Sequence, residues 1–467
     1  MTTTTISTPL ARPPGPPCPL FGIPMARRIQ RDILGFYEDA RRTYGDVMHM
    51  QFGPYHDYTF FHPDAIQEVL VTKAKHFIRM RRPIEVLRQW NGDGLLITEG
   101  ETWRRHRRLV QPAFQPSRLG RYLGSIVAAN RELLDRWSST SDTSHIDFEG
   151  GMTSLTMEIT GRALFGTSLR GEADAISHAV RTLSKVAVRE MFLPFTLPDW
   201  MPLPGKSDKR RAMRTLDQLV RRFLRERRAN GVDAGDLLSM LLLAVDEEGD
   251  GKGLTDEQAR DQCVTFFLAG HDTTAAGLTW IGWALATNPE VAAKASEEVD
   301  RVLGNREPTY DDVPQLEYVA RVIKETLRRY PPAVGLVARQ ATCDVEIGGW
   351  QLPADSLVRV MSYTVHHDER WFPDPQRFDP DRFLPERFES VPHCAYLPFG
   401  AGPRACIGQG LATLEMILFT AQFLQRFRVE PAVGQREPPL DPSMSLRPVG
   451  GLHLKLTNRP RTRRPQS

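Results

Sequence analysis

Phe399-Gly-Ala-Gly-Pro-Arg-Ala-Cys-Ile-Gly408 is the stretch on which the reading of this chain turns. It places one cysteine, Cys406, in a loop of glycine and proline. An apolar run follows at once, Gln409-Gly-Leu-Ala-Thr-Leu-Glu-Met-Ile-Leu-Phe-Thr-Ala-Gln-Phe-Leu. Its apolar residues recur at helical spacing. Cys406 therefore stands at the start of a helix, where free N–H groups and the positive end of the macrodipole favour thiolate over thiol. Gly408 lets the chain leave the loop with no Cβ in the way. An anionic sulfur in a rigid loop, with Arg404 two residues before it, suits a metal. Taken by itself, Cys406 also reads as a buried structural cysteine in a helix-start turn.

The surrounding residues favour the metal. Phe399, Gly402, Arg404, Cys406 and Gly408 match Phe-x-x-Gly-x-Arg-x-Cys-x-Gly, and the chain thereby resembles the cytochrome P450 family. The resemblance implies a mainly α fold with small β-sheets, in which a long central helix and the cysteine loop sandwich haem b. It makes Cys406 the axial ligand of the haem iron, with Phe399 and Gly400 part of the cofactor loop.

A candidate for the long helix lies upstream. Thr255-Asp-Glu-Gln258 is a capping box and Asn288-Pro289 is a stop, which predicts a helix from Asp256 to about Thr287. At 1.5 Å per residue it runs for roughly 48 Å. Its middle, Val264-Thr-Phe-Phe-Leu-Ala-Gly, turns abruptly polar at His271-Asp272-Thr273-Thr274. Polar groups inside a buried helix destabilise it unless they find partners, and Gly270 costs about 1 kcal/mol relative to alanine. Such a conflict with local preference points to a functional site. Ala269, Gly270, Asp272 and Thr273 also resemble the family's Ala/Gly-Gly-x-Asp/Glu-Thr motif, which implies that Thr273 and Asp272 relay protons. Thr274 is a second hydroxyl that could share the role.

Glu325 and Arg328 sit three apart on one helix face in Val322-Ile-Lys-Glu-Thr-Leu-Arg-Arg-Tyr-Pro-Pro. The resemblance assigns them to the family's Glu-x-x-Arg and adds Arg382 from Pro380-Asp-Arg-Phe383, a buried charge network that supports the haem site. It also supplies groups for the haem propionates: Arg404, Arg339 in Val337-Ala-Arg-Gln, and Trp103 with Arg107, four apart on one helix face. The neighbours Arg104, Arg105 and Arg108 predict a basic patch for an acidic electron donor.

Composition sets limits. The 467 residues carry 60 Lys and Arg against 57 Asp and Glu, a formal net charge of +3. That balance does not point to nucleic acid. Five cysteines, at 18, 263, 343, 394 and 406, show no regular spacing and predict a reducing compartment, the cytoplasm, without disulfides. The N-terminus has no apolar stretch approaching a membrane span. The expected organisation is a flexible Pro-rich lead-in over 1–25, one domain over 26–458 and a basic tail over 459–467. Within the domain the pattern predicts a helix over 30–45, a hairpin over 47–61, a short helix over 63–72 and an irregular basic stretch over 73–100. Helices follow from residue 102 to about 250, broken at Pro112, at Gly150-Gly151 and over 194–204. A helix over 315–330, strands over 335–361 and a hairpin around Gly450-Gly451 complete the pattern.

The resemblance implies a haem-thiolate monooxygenase, a monomer without transmembrane anchor. It would take O2 and two electrons from NAD(P)H through a ferredoxin and its reductase or a flavodoxin, and would hydroxylate or epoxidise an apolar small molecule such as a fatty acid or terpenoid. Pocket candidates are Phe266, Ala269, Val334, Leu336, Val337 and Met444, with 85–96 and 191–204 at the mouth. A peroxygenase or isomerase using a peroxide, and a haem sensor without catalysis, are the alternatives. The Asp272-Thr273 pair weighs against the first, and the lack of an attached effector segment against the second.

Overall fold

The computed structural model describes residues 12–140, 143–193, 195–231, 234–246, 248–249 and 251–460. The first part of the expected lead-in and all but the first two residues of the expected basic tail lie outside the described residues. The chain divides into two units: Met1–Arg81, Val334–Pro375 and Glu389–Ala405 form one, and Arg82–Ala333, Gln376–Phe388 and Cys406–Ser467 the other.

The smaller unit is built on a five-stranded sheet. The strands Val47–Phe52 and Tyr55–Phe60 form the expected hairpin around Gly53-Pro54, with Val47 opposite Phe60. Tyr55–Phe60 then runs parallel to Leu357–Val360, and Arg339–Ala341 and Phe77–Arg79 complete the sheet. The helix Ile33–Tyr44 is capped by Asp32, whose carboxylate accepts from Gly35 N at 2.9 Å, and stops at Gly45 with φ 82°. Phe60, Ile66, Val69, Val360 and Leu397 are among the buried side chains of its core.

The larger unit is helical. The helix Asp256–Thr287 starts at the capping box of Thr255 and Gln258 and ends at Asn288. It packs on the helix Phe148–Phe165 so closely that a Cβ on Gly282 would collide with the Phe148 ring. Trp280, fully buried on the same helix, stacks on Tyr330 at 4.3 Å and donates to the Leu446 carbonyl at 2.8 Å. The helix Gln409–Arg426 lies alongside, and Met416 reaches within 2.9 Å of where a Cβ on Gly277 would stand. Glycine at both positions lets helices approach where any side chain would hold them apart.

Three expectations fail for identifiable reasons. The basic stretch over 73–100 contains a helix, Arg81–Asn91. Ile84, Leu87 and Asn91 recur at helical spacing and are buried, but three arginines and Pro83 obscure the period. Gly150-Gly151 does not break a helix; both lie in the first turn of Phe148–Phe165, which Asp147 caps through Gly150 N at 2.9 Å. Gly151 is there because a Cβ would strike Trp137. The residues around Gly450-Gly451 are not a hairpin. Leu446–Pro448 pairs back with Leu440–Pro442, whereas His453–Asn458 pairs with Phe427–Pro431. Alternation identified the strands but not their partners, which lie outside the local window.

Candidate active site

In the larger unit Cys406 precedes the helix Gln409–Arg426, with Gly408 at the cap. The thiol is open to solvent, and the N–H groups of Gly408 and Gln409 are directed at its sulfur. Desolvation by surrounding protein atoms is the largest influence and pushes the thiol up; the Gly408 N–H, the Arg107 guanidinium and the Gln409 N–H pull the other way. The N–H groups of the helix start thus act in the expected direction, toward thiolate, against the desolvation by neighbouring protein atoms. Arg107 is half-buried on the helix Gly100–Val110, drawn to the Cys406 sulfur and donating to Gln111 Oε1 at 3.2 Å. Trp103, one turn earlier, packs on the hydrophobic core.

The central helix is buried along most of its length, from Gln262 to Ala286, yet opens at its middle. Ala269, Gly270 and Thr273 are exposed there while Phe266, His271 and Thr274 are buried. Phe266 stands edge to face on Phe114 at 5.3 Å. The Thr273 hydroxyl donates to the Ala269 carbonyl at 2.8 Å, which takes up one of the polar groups that looked costly in sequence.

Asp272 points elsewhere. Its Oδ1 accepts from Arg447 at 2.7 Å and its Oδ2 from the Ser445 hydroxyl. Arg447 also donates to Glu149 at 2.8 Å. Burial raises the Asp272 carboxyl, but Arg447 and Ser445 together hold it below the usual carboxylate range. Sequence reading missed Ser445, Arg447 and Glu149. No local signal marks them, because each lies more than a hundred residues from Asp272. Met444, beside Ser445 and 40% exposed, sits at the turn of the Leu440–Pro442 and Leu446–Pro448 pair.

Glu325, Arg328 and Arg382 do come together, all buried. Arg328 grips both Glu325 oxygens at 2.7 and 2.9 Å, Arg382 approaches Oε1 at 3.4 Å, and the Asp379 N–H donates to Oε1 at 3.0 Å. The helix Glu317–Arg329 is thereby tied to the segment 376–388.

The remaining candidates belong to the smaller unit. Gly400 and Gly402 both have φ 70°, and a Cβ on Gly402 would collide with the Leu70 carbonyl, which explains that glycine of the motif. Phe399, Gly400 and Arg404 are half-buried in this loop. The Leu336 side chain lies within 3.8 Å of where a Cβ on Gly400 would be. Val334 is buried, Val337 half-buried, and the Arg339 guanidinium donates to the Val337 carbonyl.

The expected basic patch is smaller than its arginines suggest. Arg104 pairs with Glu101, Arg108 grips Asp246 at 3.0 and 2.9 Å, and Arg105 lies 3.7 Å from Asp246 and donates to the Gly253 carbonyl at 2.9 Å. These acids cancel much of the field. All five cysteines are free.

A solvent-reached cysteine held by two N–H groups beside a guanidinium fits an iron porphyrin: the sulfur suits iron and the cation suits a propionate. The central helix, bare of large side chains at Ala269-Gly270, adds a small-residue face. These features define a haem-thiolate class of protein. The cytochrome P450 family model matches residues 13–456, and the chain belongs to the cytochrome P450 family. It is 35% identical to cyclooctat-9-en-7-ol 5-monooxygenase of Streptomyces melanosporofaciens, over 89% of each chain. It is 38% identical to cyclooctatin synthase of the same organism, over 86% of this chain and 87% of that one. Cytochrome P450 4F3 of Rattus norvegicus is 32% identical over 94% of this chain and 87% of its own. The crystal structure of the cytochrome P450DA heme domain superposes with a TM-score of 0.87 at 27% identity, covering 97% of this chain and 98% of that one. The protein is accordingly an oxidoreductase of the monooxygenase type, and its family implies a haem iron cofactor.

Proposed function

We propose that this chain hydroxylates or epoxidises an apolar small molecule of the terpenoid kind, using electrons from NAD(P)H delivered by a ferredoxin or flavodoxin system. Residues 26–458 act as one catalytic domain in the cytoplasm. The observation that carries the reading is the opening at Ala269, Gly270 and Thr273 in an otherwise buried helix, in the same unit as a solvent-reached Cys406. Two relatives of similar length bear names that refer to cyclooctat-9-en-7-ol and cyclooctatin, which supports a cyclic, largely hydrocarbon substrate.

Cys406 would hold the iron, and Arg107, Trp103, Arg404 and Arg339 would hold the propionates. The bound haem supplies oxygen activation; the protein supplies placement, dryness and protons. The candidate apolar surfaces for substrate are Ala269, Phe266 and Met444 in the larger unit and Val334, Leu336 and Val337 in the smaller one. Thr273 presents the hydroxyl nearest the opening, and turning it away from the Ala269 carbonyl frees it to pass a proton. Asp272, held ionised by Arg447 and Ser445, is the carboxylate that can receive a proton from outside and hand it on. Glu325, Arg328 and Arg382 fix the supporting segment 376–388.

Optical titration of the ferric protein with terpenes, fatty acids, steroids and macrolides tests the substrate class. A low-to-high-spin shift with cyclic terpenoids, and turnover that requires NAD(P)H with redox partners, is the expected result. A shift confined to linear fatty acids would replace the substrate reading.

A further inference from the structure

In the smaller unit the Pro-rich segment ahead of the first hairpin is laid against it as a strap. The His49 N–H donates to the Pro14 carbonyl at 3.0 Å, and a Cβ on Gly15 would stand 1.7 Å from the His49 carbonyl oxygen, so only glycine passes there. The chain then turns through two left-handed residues, Leu20 at φ 51° and Phe21 at φ 57°, a conformation rare for residues with large side chains. Between the strap and the strand Val47–Phe52 lies a cavity of about 450 Å³, a volume ordinary for a small-molecule site.

The chemistry of its lining is one-sided. Pro16, Pro17 and Phe21 supply apolar surface, and Phe21 is 80% exposed although it lines the cavity. Arg12 and His49 supply basic groups. His49 Nε2 lies 3.0 Å from His56 Nδ1, and the His49 ring leans on Tyr58 at 4.8 Å. His56 acts on the charge of His49, and the Arg12 guanidinium acts on both imidazoles and on the Tyr58 hydroxyl. Among the described residues no carboxylate lines the cavity or acts on either imidazole.

Three basic groups gathered without an acid disfavour one another's charge. Burial, His56 and Arg12 together hold His49 at about 4, below its ordinary 6.5. An anion in the cavity reverses this: it pairs with the guanidinium and draws a proton onto the imidazoles, so that anion and proton bind cooperatively. A guanidinium presents a planar fork that a carboxylate matches. The proline and phenylalanine surface suits a ring or short hydrocarbon, which inorganic phosphate does not carry.

We propose that this cavity binds a small organic carboxylate with an apolar body, its carboxylate on Arg12 and His49 and its hydrocarbon against Pro16, Pro17 and Phe21. None of these residues holds haem or substrate in the proposed function, so the two readings stand or fall separately.

Calorimetric titration of the reduced, carbon monoxide-bound holoenzyme with benzoate tests it. Benzoate binds, and binds more tightly at about pH 5.5 than at about pH 7.5, because the complex holds more protons than the free protein. Arg12→Gln weakens binding at least about tenfold. His49→Gln keeps part of the affinity and loses the pH dependence. In protein labelled with carbon-13 at histidine Cε1, the resonance missing from His49→Gln titrates at higher pH when benzoate is present. Arg12 is exposed, and an unchanged melting temperature checks that each variant is folded. Wild-type protein that gives no binding overturns the proposal, as does equal affinity of wild type and Arg12→Gln. Benzyl alcohol binding as tightly as benzoate overturns the need for an anion. Inorganic phosphate binding as tightly as benzoate overturns the carboxylate and its apolar body. Benzoate binding that shifts the haem absorption band and ignores Arg12→Gln places benzoate at the haem and overturns the proposal too.

Discussion

Replacing Arg328 with methionine tests the buried network most sharply. Both Arg328 and Glu325 are completely inaccessible to solvent, and two charge-assisted bonds at 2.7 and 2.9 Å join them. The variant keeps the stem volume and removes the guanidinium. Glu325 then retains only the Asp379 N–H at 3.0 Å and Arg382 at 3.4 Å as partners from this network. Stranding a buried carboxylate costs about 3–5 kcal/mol. An exposed pair would cost about 0.2–1 kcal/mol, so the two readings differ severalfold. Denaturant unfolding followed by dichroism measures the loss, and the midpoint falls while the slope is kept. Exchanging both partners, as E325L/R328M, leaves less charge stranded and destabilises by less than the sum of the single changes, a coupling of about 2 kcal/mol or more. A cost for Arg328→Met below about 1 kcal/mol, or strict additivity in the cycle, would refute the claim that this pair is a sealed structural unit.

Four further outcomes are expected. His271 is buried and desolvation lowers it from 6.5 to about 4, so the unfolded chain takes up its proton first and stability falls as pH drops from about 6.5 to 4, by about 3 kcal/mol in total; His271→Phe flattens that limb of the stability–pH curve. Arg447→Met releases Asp272: because the folded carboxyl is held below its ordinary value, the stability it contributes is present above about pH 4 and lost as pH falls further, and the gap between wild type and variant closes in acid. Gly282→Ala drives a methyl into Phe148 and destabilises by about 1–3 kcal/mol, partly recovered by adding Phe148→Leu, as melting of the pair of variants will register. Cys406→Ser abolishes the thiolate-type carbon monoxide spectrum of the reduced protein; retention of that spectrum would remove Cys406 as the iron ligand.

Much of the architecture was legible in short windows. The central helix could be bounded because Thr255-x-x-Gln258 and Asn288-Pro289 act on the backbone groups next to them. The Val47–Phe60 hairpin followed from alternation around Gly53-Pro54. The Cys406 loop was legible because Gly400 and Gly402 answer a local demand for left-handed backbone, although the Leu70 carbonyl that Gly402 must also clear comes from far away in the sequence. Glu325 and Arg328 are neighbours on one helix, so their pairing needs no tertiary information. The helix Arg81–Asn91 stayed hidden because its polar face carries the arginines that made it look irregular.

By itself the sequence determined the ends of the central helix and the polar break at His271-Asp272-Thr273-Thr274, since each is read within a few residues, while the roles of Cys406, Asp272 and Thr273 were implied by the family resemblance. Only the tertiary structure decided which face of the helix opens at Ala269, Gly270 and Thr273, because that depends on what packs against the other faces. It also decided that Asp272 is gripped by Ser445 and Arg447, that Arg105 and Arg108 meet Asp246, and that Arg12 is brought near His49 and His56. Each of these pairs charges or surfaces from distant parts of the chain, and no period, cap or spacing encodes a partner that the fold alone brings near.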